Sequence, residues 1–393
     1  EPGITAILLL LFAQTVFYLM SDVVADALVL ECSQLGEDAT TKGLMRTHTY
    51  CIRAVGLAVG ALAGAVLWNG PPLCQSGGCW GWGLSIADLF WLQAALVAFT
   101  IFPTLPFMYE LPIHLTGVAM DVRSLGKDIT AFLSIDGVWI PMMYMYFYNV
   151  AYVANAAWTN FLFLGLNFSN FEVGMLSFVG SVLSVLGFVA YEKCFFKSGW
   201  RRLFLWTTFV VAMTSFLQVC LVLKATLGIP PFLFALGDTA IQNVVSTLTF
   251  MPMCIMFFPM IPPGTEGTAY ALISTWQNVA GSVSANLGDY LVCGMNVTNS
   301  ALESGNWTGM LKMTLITSAC QLLPILFIYA RVKNVYVLPD SVNAAKAQCG
   351  DDRRTVAGAY LFYGVFFASI VYSLVQSFYV AARPGYYSVC IDR

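Results

Sequence analysis

Residues 4–31 read ITAILLLLFAQTVFYLMSDVVADALVLE, an apolar run with two carboxylates, Asp22 and Asp26, in its second half and a third, Glu31, at its end. A helix needs roughly 20 predominantly apolar residues to cross a bilayer, because lipid offers the backbone no hydrogen-bond partner. The run therefore predicts a membrane-spanning helix. The two carboxylates lie four residues apart on one helical face, where they must meet water, a cation or a bound solute. The alternative is a helix end at which both simply reach headgroup water.

More runs of this kind follow, and together they predict an all-α polytopic membrane protein. The chain is 59% hydrophobic and only 10% charged, whereas soluble domains carry about 25% charged residues. Its net charge of −3 argues against a nucleic-acid partner, because no basic stripe is present. The ten predicted spans are 4–30, 52–68, 86–106, 136–157, 172–190, 203–223, 232–258, 268–292, 311–330 and 357–380.

The loops between these spans differ in charge, which predicts their orientation. Most of the 18 lysines and arginines, Arg46 among them, fall in loops on one side. The positive-inside rule places that side in the cytoplasm. Glycosylation sequons occupy loops on the opposite side and begin at Asn167, Asn296 and Asn306. Another outer loop holds Cys74 and Cys79, which could form a disulfide or remain free thiols.

Arg53 opens the second predicted span. A short loop joins antiparallel neighbours, so Arg53 could pair with Asp22 or Asp26, bind an anionic solute through its planar fork, or serve only as a positive-inside anchor. We expect the three charged groups to form one cluster on the solute path. Close helix packing is predicted for the glycine ridge that follows, Gly56, Gly60 and Gly64.

The fourth span carries an aromatic face formed by Tyr144, Tyr148 and Tyr152 at i, i+4 and i+8. A planar heteroaromatic solute could stack there, although aromatic stripes on membrane helices also serve as packing surfaces or interface belts. Further candidates for solute binding or coupling are Asp238, Gln242 and Asn243 in the seventh span, Glu266 at the start of the eighth, and Gln277 and Asn278 inside it. Glu266 could act in gating or only stabilise the helix N-terminus.

The sequence predicts neither an enzyme nor a metal or cofactor site. Its two histidines, His48 and His114, fall in predicted loops and belong to no HExxH or nucleophile–histidine pattern. An intramembrane transferase, the enzyme class that would fit this composition, would need such a catalytic arrangement at one membrane face. A seven-helix receptor is disfavoured by ten spans with short loops.

Three motifs resemble the folate-biopterin transporter family, which has the major facilitator fold. They are SDVVADALVLE (Ser21 to Glu31), LGD with FMP (Leu236 to Pro252) and PPGTEGTAYAL (Pro262 to Leu272). The resemblance implies a secondary transporter of folate, biopterin or another pteridine, coupled to protons. We expect the protein in the plasma membrane. Some members of the family are assigned S-adenosylmethionine instead, which keeps other solutes open.

In that family the Asp-x3-Asp helix is the fourth of the fold, so the chain resembles helices 4–12 with one additional helix. We therefore expect a fragment that does not transport by itself. The implied divisions are 1–106, the remainder of the N-terminal bundle; 107–135, a central cytoplasmic linker; 136–333, the C-terminal six-helix bundle; and 334–393, a loop, the additional helix and an outer tail.

Overall fold

Long α-helices dominate the structure, which is a computed structural model. It describes residues 4–37, 43–70, 80–107, 122–257, 260–261, 266–350 and 354–382. The helices are α1 (Ile4–Gly36), α2 (Leu44–Leu67), α3 (Ile86–Phe107), α4 (Val122–Leu133), α5 (Asp136–Ala151), α6 (Trp158–Asn160), α7 (Asn170–Ala190), α8 (Trp200–Val222), α9 (Pro231–Ile255), α10 (Glu266–Gly294), α11 (Asn299–Glu303), α12 (Thr308–Cys320), α13 (Val342–Gly350) and α14 (Val356–Ala382). Two short strands, β1 (Arg331–Val332) and β2 (Val335–Tyr336), form a hairpin. Short π-helical turns follow α6 and α7, at Phe161–Gly165 and Tyr191–Phe195, and a 3-10 turn follows α12 at Leu323–Phe327.

Seven described helices are long and apolar enough to cross a membrane, which confirms seven of the ten predicted spans. They comprise α1, α2, α3, α7, α8, α12 and α14. The runs predicted at 136–157, 232–258 and 268–292 also form helices, namely α5, α9 and α10. By length and composition alone, these three do not qualify as membrane-crossing helices: α5, with 16 residues, is too short, and the longer α9 and α10 are too polar. These three helices carry most of the predicted site residues.

From α5 onward the helices form a bundle with an apolar core toward each end. One core contains Trp200, Met256 and Leu338, and the other contains Phe168 and Trp307. Each of α8, α9 and α10 contributes one end to the first core and its other end to the second. Antiparallel helices joined by short loops give this arrangement.

Small side chains bring α2 against α7. A Cβ atom at Gly174 of α7 would overlap Ala65 of α2, so glycine there permits the close approach. The prediction that α2 packs through its glycine ridge is wrong, because alanines form its buried face. Within the described chain, a Cβ would meet no atom within 4 Å at Gly56, Gly60 or Gly64.

The fourth predicted span is interrupted after α5. The N–H of Tyr152 closes the helix on the carbonyl of Tyr148 at 3.2 Å, and helical hydrogen bonding resumes at Trp158. Helix α10 replaces part of the lost bonding, because the Ser284 hydroxyl donates to the Tyr152 carbonyl at 2.6 Å. A Cβ at Gly288 would overlap the Ala154 carbonyl, so glycine lets α10 approach the unwound backbone. Residues 152–157 are called the unwound segment below.

The additional helix α14 packs into the bundle. Phe362 stacks on Trp276 of α10, with ring centres 4.0 Å apart. The hydroxyls of Tyr146 in α5 and Ser369 in α14 are hydrogen-bonded at 2.5 Å. The linker predicted at 107–135 contains α4, which contacts both α5 and α14.

Candidate functional site

A buried arginine joins α1, α2 and α10. Two nitrogens of Arg46 donate to the two carboxylate oxygens of Asp26 in α1, at 2.6 and 2.7 Å. Arg46 also donates to the hydroxyl of Tyr50 at 2.8 Å and to that of Tyr270 in α10. The side chain of Arg46 is 1% exposed and that of Asp26 is 13% exposed. Bidentate pairs are both strong and specific in geometry, so this pair fixes α1 against α2 and presents a donor to α10.

Aromatic rings surround the guanidinium of Arg46. Its central carbon lies 4.5 Å from the ring centre of Tyr50 and 4.6 Å from that of Tyr270. Cation–π attraction compensates part of the hydration that a buried charge loses. The Nε atom of Arg46 is buried and has no hydrogen-bond partner in the described chain. Burial of a strong donor in this way makes the cluster sensitive to any change in its geometry.

A second, more exposed ion pair lies farther along the same two helices. Arg53 donates to Asp22 at 2.9 Å and to the hydroxyl of Tyr18 at 3.0 Å. The side chains of Arg53 and Asp22 are 40% and 33% exposed. Solvent or headgroup water can therefore reach both charges, and the pair is expected to contribute little to stability.

The structure replaces the predicted three-residue cluster by two pairs, Asp22–Arg53 and Asp26–Arg46. The placement of Arg46 in a cytoplasmic loop is wrong, because α2 begins at Leu44 and not near residue 52. For the same reason Arg53 lies inside α2 and does not open it. A second carboxylate one turn after Asp22 calls for a second cation before Arg53 on the antiparallel helix, but spacing does not fix its position, because the carboxylates are four residues apart and the arginines seven.

Asp238 in α9 is a second buried carboxylate. It accepts hydrogen bonds from the amides of Gln218 and Gln242, each at 2.8 Å, and the residue is 8% exposed. No lysine or arginine of the described chain lies within salt-bridge distance of it. The predicted face that Asp238 shares with Gln242 is thus confirmed by a direct contact. Two amide hydrogen bonds, and no cation of the described chain, thus compensate this buried carboxylate.

A cavity of about 320 Å³ lies between α5, α8 and α9, next to the unwound segment. Tyr148 and Tyr152 line it on one side, and Ser246 extends the Asp238 face of α9 into it. Its other lining residues are Asn149, Val211, Thr247, Thr249, Phe250 and Met253. A hydroxyl–hydroxyl bond to Thr208 at 3.1 Å holds the Tyr148 ring. Tyr152 is 39% exposed, so its ring has a face available to a solute.

Two predicted residues on these helices lie away from this cavity. Tyr144 is buried, and its hydroxyl donates to the carbonyl of Pro324 at 3.3 Å. The amide of Asn243 donates to the Thr239 carbonyl, and Gly180 of α7 packs directly against it. Both side chains therefore belong to helix packing in this structure.

The remaining predicted residues lie on α10 and in the loops. Glu266 is the first residue of α10, and its side chain is outside the described part of the structure. Gln277 is half-buried and Asn278 is exposed, and neither lines the cavity. The disulfide considered between Cys74 and Cys79 lies outside the described residues.

The three sequon asparagines are exposed in loops beside the second apolar core. These residues are Asn167, Asn296 and Asn306. Their common location at one end of the bundle agrees with the topology predicted from charge, while glycosylation itself stays a prediction.

Comparison with known proteins gives a consistent result. A family model described as the BT1 family matches residues 2–346. The folate-biopterin transporter of Synechocystis is 25% identical over 335 residues, which cover 84% of this chain and 63% of that protein. A probable folate-biopterin transporter 2 of Arabidopsis thaliana is 28% identical over 55% of this chain and 44% of its own length.

A third relative is also named as a folate transporter. Folate transporter 1 of Plasmodium falciparum is 28% identical over 166 residues, which cover 42% of this chain and 32% of that protein. The matched region therefore spans less than two thirds of each of these three relatives. No solved structure shows a significant match to the chain.

Proposed function

The chain belongs to the BT1 family, and from this premise we propose that it takes part in carrying folate, biopterin or a related pteridine across a membrane. The observation that carries the proposal is the cavity beside Tyr148 and Tyr152. Relatives named for these solutes support it. The family resemblance found in the motifs is confirmed, and its named relatives are transporters and not enzymes. The plasma membrane as the location is part of the proposal.

The cavity has the chemistry that a pteridine needs. Ligand pockets combine apolar or aromatic walls with a few polar groups that fix orientation. Here Tyr152 and Phe250 supply aromatic surface, while Asn149 and Ser246 supply hydrogen-bonding groups. A flat heteroaromatic ring with N–H donors and ring-nitrogen acceptors can use both kinds of contact.

Asp238 is the residue that we propose for proton coupling. Its carboxylate is buried, accepts two amide hydrogen bonds and has no described cationic partner. Ionisation in such a place is costly unless a proton, a cation or a polar solute compensates the charge. Proton uptake at Asp238 can therefore alternate with exposure of the cavity, because Gln242 and Ser246 continue the same helical face.

The Arg46 cluster supplies the conformational part of the proposal. Its Asp26–Arg46 pair lies within the α1–α2 pair, whereas the bond to the Tyr270 hydroxyl joins that pair to α10. We infer that α10 separates from α1 and α2 when the cavity opens toward the predicted cytoplasmic side. The Arg46–Tyr270 hydrogen bond and ring contact would break in that step, while the bidentate pair would persist.

Uptake by the full-length protein tests the cavity assignment. In cells that lack pteridine uptake, Tyr152→Ala should raise the KM for labelled folate or biopterin about tenfold, since an aromatic stacking contact is lost. The matched control is Tyr360→Ala, because Tyr360 of α14 is 70% exposed and away from the cavity. Equal KM values for Tyr152→Ala, Tyr360→Ala and the unchanged protein would contradict the assignment.

A different solute on the same fold is the alternative. S-adenosylmethionine also presents a flat heterocycle with hydrogen-bonding edges, so the cavity could accept it. A competition experiment separates the two solutes. Excess unlabelled folate and biopterin should suppress the uptake of labelled folate or biopterin, and excess S-adenosylmethionine should not. The reverse pattern would assign the cavity to the second solute.

A further inference from the structure

Two arginines clamp one tyrosine ring beside the β1–β2 hairpin. The central guanidinium carbon of Arg201 in α8 lies 3.5 Å from the ring centre of Tyr336, and that of Arg331 lies 3.8 Å from it. Both groups are this close to one ring centre, so they must occupy its opposite faces. The register of the hairpin explains why Arg331 lies against the ring, because Arg331 and Tyr336 are cross-strand partners.

The chain holds the first of these arginines firmly in place. The Nε of Arg201 donates to the Leu338 carbonyl at 2.7 Å, and its backbone N–H donates to the Asp340 carboxylate at 3.2 Å. The described contact of Arg331 is instead with the ring, and its side chain is exposed. Among the described residues, no carboxylate lies within salt-bridge distance of either guanidinium. The two guanidinium groups on the Tyr336 ring therefore carry positive charges that no described carboxylate pairs with.

Further cations surround the clamp. Lys333 at the hairpin turn donates to the Thr355 hydroxyl at 2.9 Å, and Arg354 pairs with Ile135 through a β-bridge. Arg202 is exposed one residue after Arg201. Two described carboxylates lie near this group: Asp340 accepts the backbone N–H of Arg201, and Asp136 accepts the ring N–H of Trp139. Among the described residues here, the cations outnumber the carboxylates.

The depth of the clamp identifies what should bind it. Arg201 stands at the start of the span Trp200–Val222, and Arg331 follows closely on the span Thr308–Phe327. Exposed apolar residues lie just before Arg331, with Leu326 at 73% and Tyr329 at 57% exposure. A lipid has acyl chains for such a surface and a phosphate for the cations above it, whereas a free anion satisfies only the cations.

We propose that Arg201, Tyr336 and Arg331 form a headgroup site for an anionic glycerophospholipid of the leaflet on the predicted cytoplasmic side. The phosphate lies at the edge of the Tyr336 ring and accepts hydrogen bonds from both guanidinium groups. Its acyl chains cover Leu326 and the neighbouring apolar surface. This site lies apart from the solute cavity, so the inference does not depend on the identity of the solute.

Lipid titration of the purified full-length protein in neutral detergent tests the proposal. Phosphatidylglycerol should raise the thermal unfolding midpoint in a saturable way, and phosphatidylcholine should not. Each of Arg201→Gln and Arg331→Gln should weaken the apparent affinity about fivefold, as expected for the loss of one cation at a lipid surface. Arg331→Gln keeps the test valid if Arg201→Gln loses its Leu338 bond and fails to fold.

Arg202→Gln is the matched control, because it removes an adjacent exposed charge that does not touch the ring. Its phosphatidylglycerol affinity should fall clearly less than that of Arg201→Gln or Arg331→Gln. An equal loss in all three variants would overturn the site, since it would show diffuse attraction only. Stabilisation by inorganic phosphate alone would likewise overturn the assignment to a lipid, as would an equal response to phosphatidylcholine.

Discussion

Arg46 and Arg53 lie about two turns apart on α2, and each pairs with a carboxylate of α1. Their surroundings differ more than their sequence contexts do. Arg46 is enclosed by two tyrosine rings and a bidentate partner, whereas Arg53 and its partner keep a third or more of their surface exposed. An ion loses its hydration when it is buried. Removing one partner of a buried ion pair therefore lowers the free energy of unfolding far more than removing one partner of an exposed pair.

Substitution of these two arginines should therefore give unequal results. Arg46→Gln should lower the free energy of unfolding by about 3–5 kcal/mol, because Asp26 is left buried without its cation. Arg53→Gln, the matched control on the same helix, should cost about 0–1 kcal/mol. Denaturant unfolding of the purified full-length protein in detergent measures both. Equal losses would show that burial does not distinguish the two pairs.

Helix α10 shows how one element depends on a few small residues. Gly288 allows the carbonyl of Ala154 to approach, and Ser284 supplies a donor to the carbonyl of Tyr152. The unwound segment could not be predicted, because the run VAYVANAAW (Val150 to Trp158) contains neither proline nor glycine. The end of α5 at this point depends on α10, a helix more than a hundred residues away in sequence, and the local sequence pattern does not encode that contact.

Gly288→Ala should separate α10 from the unwound segment. The added Cβ would overlap the Ala154 carbonyl, so we expect a loss of about 1–3 kcal/mol in the free energy of unfolding. Gly281→Ala on the same helix is the control, because a Cβ there meets no described atom within 4 Å. It should be neutral or stabilising by about 0.5–1 kcal/mol. A Gly288→Ala protein as stable as Gly281→Ala would refute the close approach.

Helix α14 gives a second prediction at this scale. Phe362 is fully buried against Trp276, whereas Phe367 is 59% exposed on the same helix. Phe362→Ala should cost about 3–5 kcal/mol through the cavity it leaves, and Phe367→Ala should cost much less. Thermal unfolding of both variants checks this. A small effect at Phe362 would mean that α14 is only loosely attached to the bundle.

For the whole molecule, sequence pattern was sufficient where the property is local. Apolar run length located the helices, and spacing placed Asp238 and Gln242 on one face, which their 2.8 Å contact confirms. Properties that depend on neighbouring helices were missed. The polar start of α2 hid Arg46, and the contact with α7 selected the alanine face of α2 instead of its glycine ridge.

The orientation of the molecule is tested by its sequons. If the host glycosylates, the full-length protein should lose mass on enzymatic deglycosylation, because the three loops share the end predicted to face outward. Replacing the sequon asparagines by glutamine, one after another, should remove this mass shift stepwise. The asparagines are Asn167, Asn296 and Asn306. Cysteine labelling that placed residue 296 in the cytoplasm would reverse the topology.

Transport in a defined membrane tests the central claim most directly. The full-length protein, reconstituted in liposomes of neutral and anionic lipid, should take up labelled folate or biopterin saturably. An inward proton gradient should accelerate that uptake, and Asp238→Asn should abolish the acceleration because its amide cannot bind the proton. Glu303→Gln, at the exposed end of α11, should keep it. Absence of saturable uptake of either pteridine, in protein shown to be folded, would contradict the proposed function.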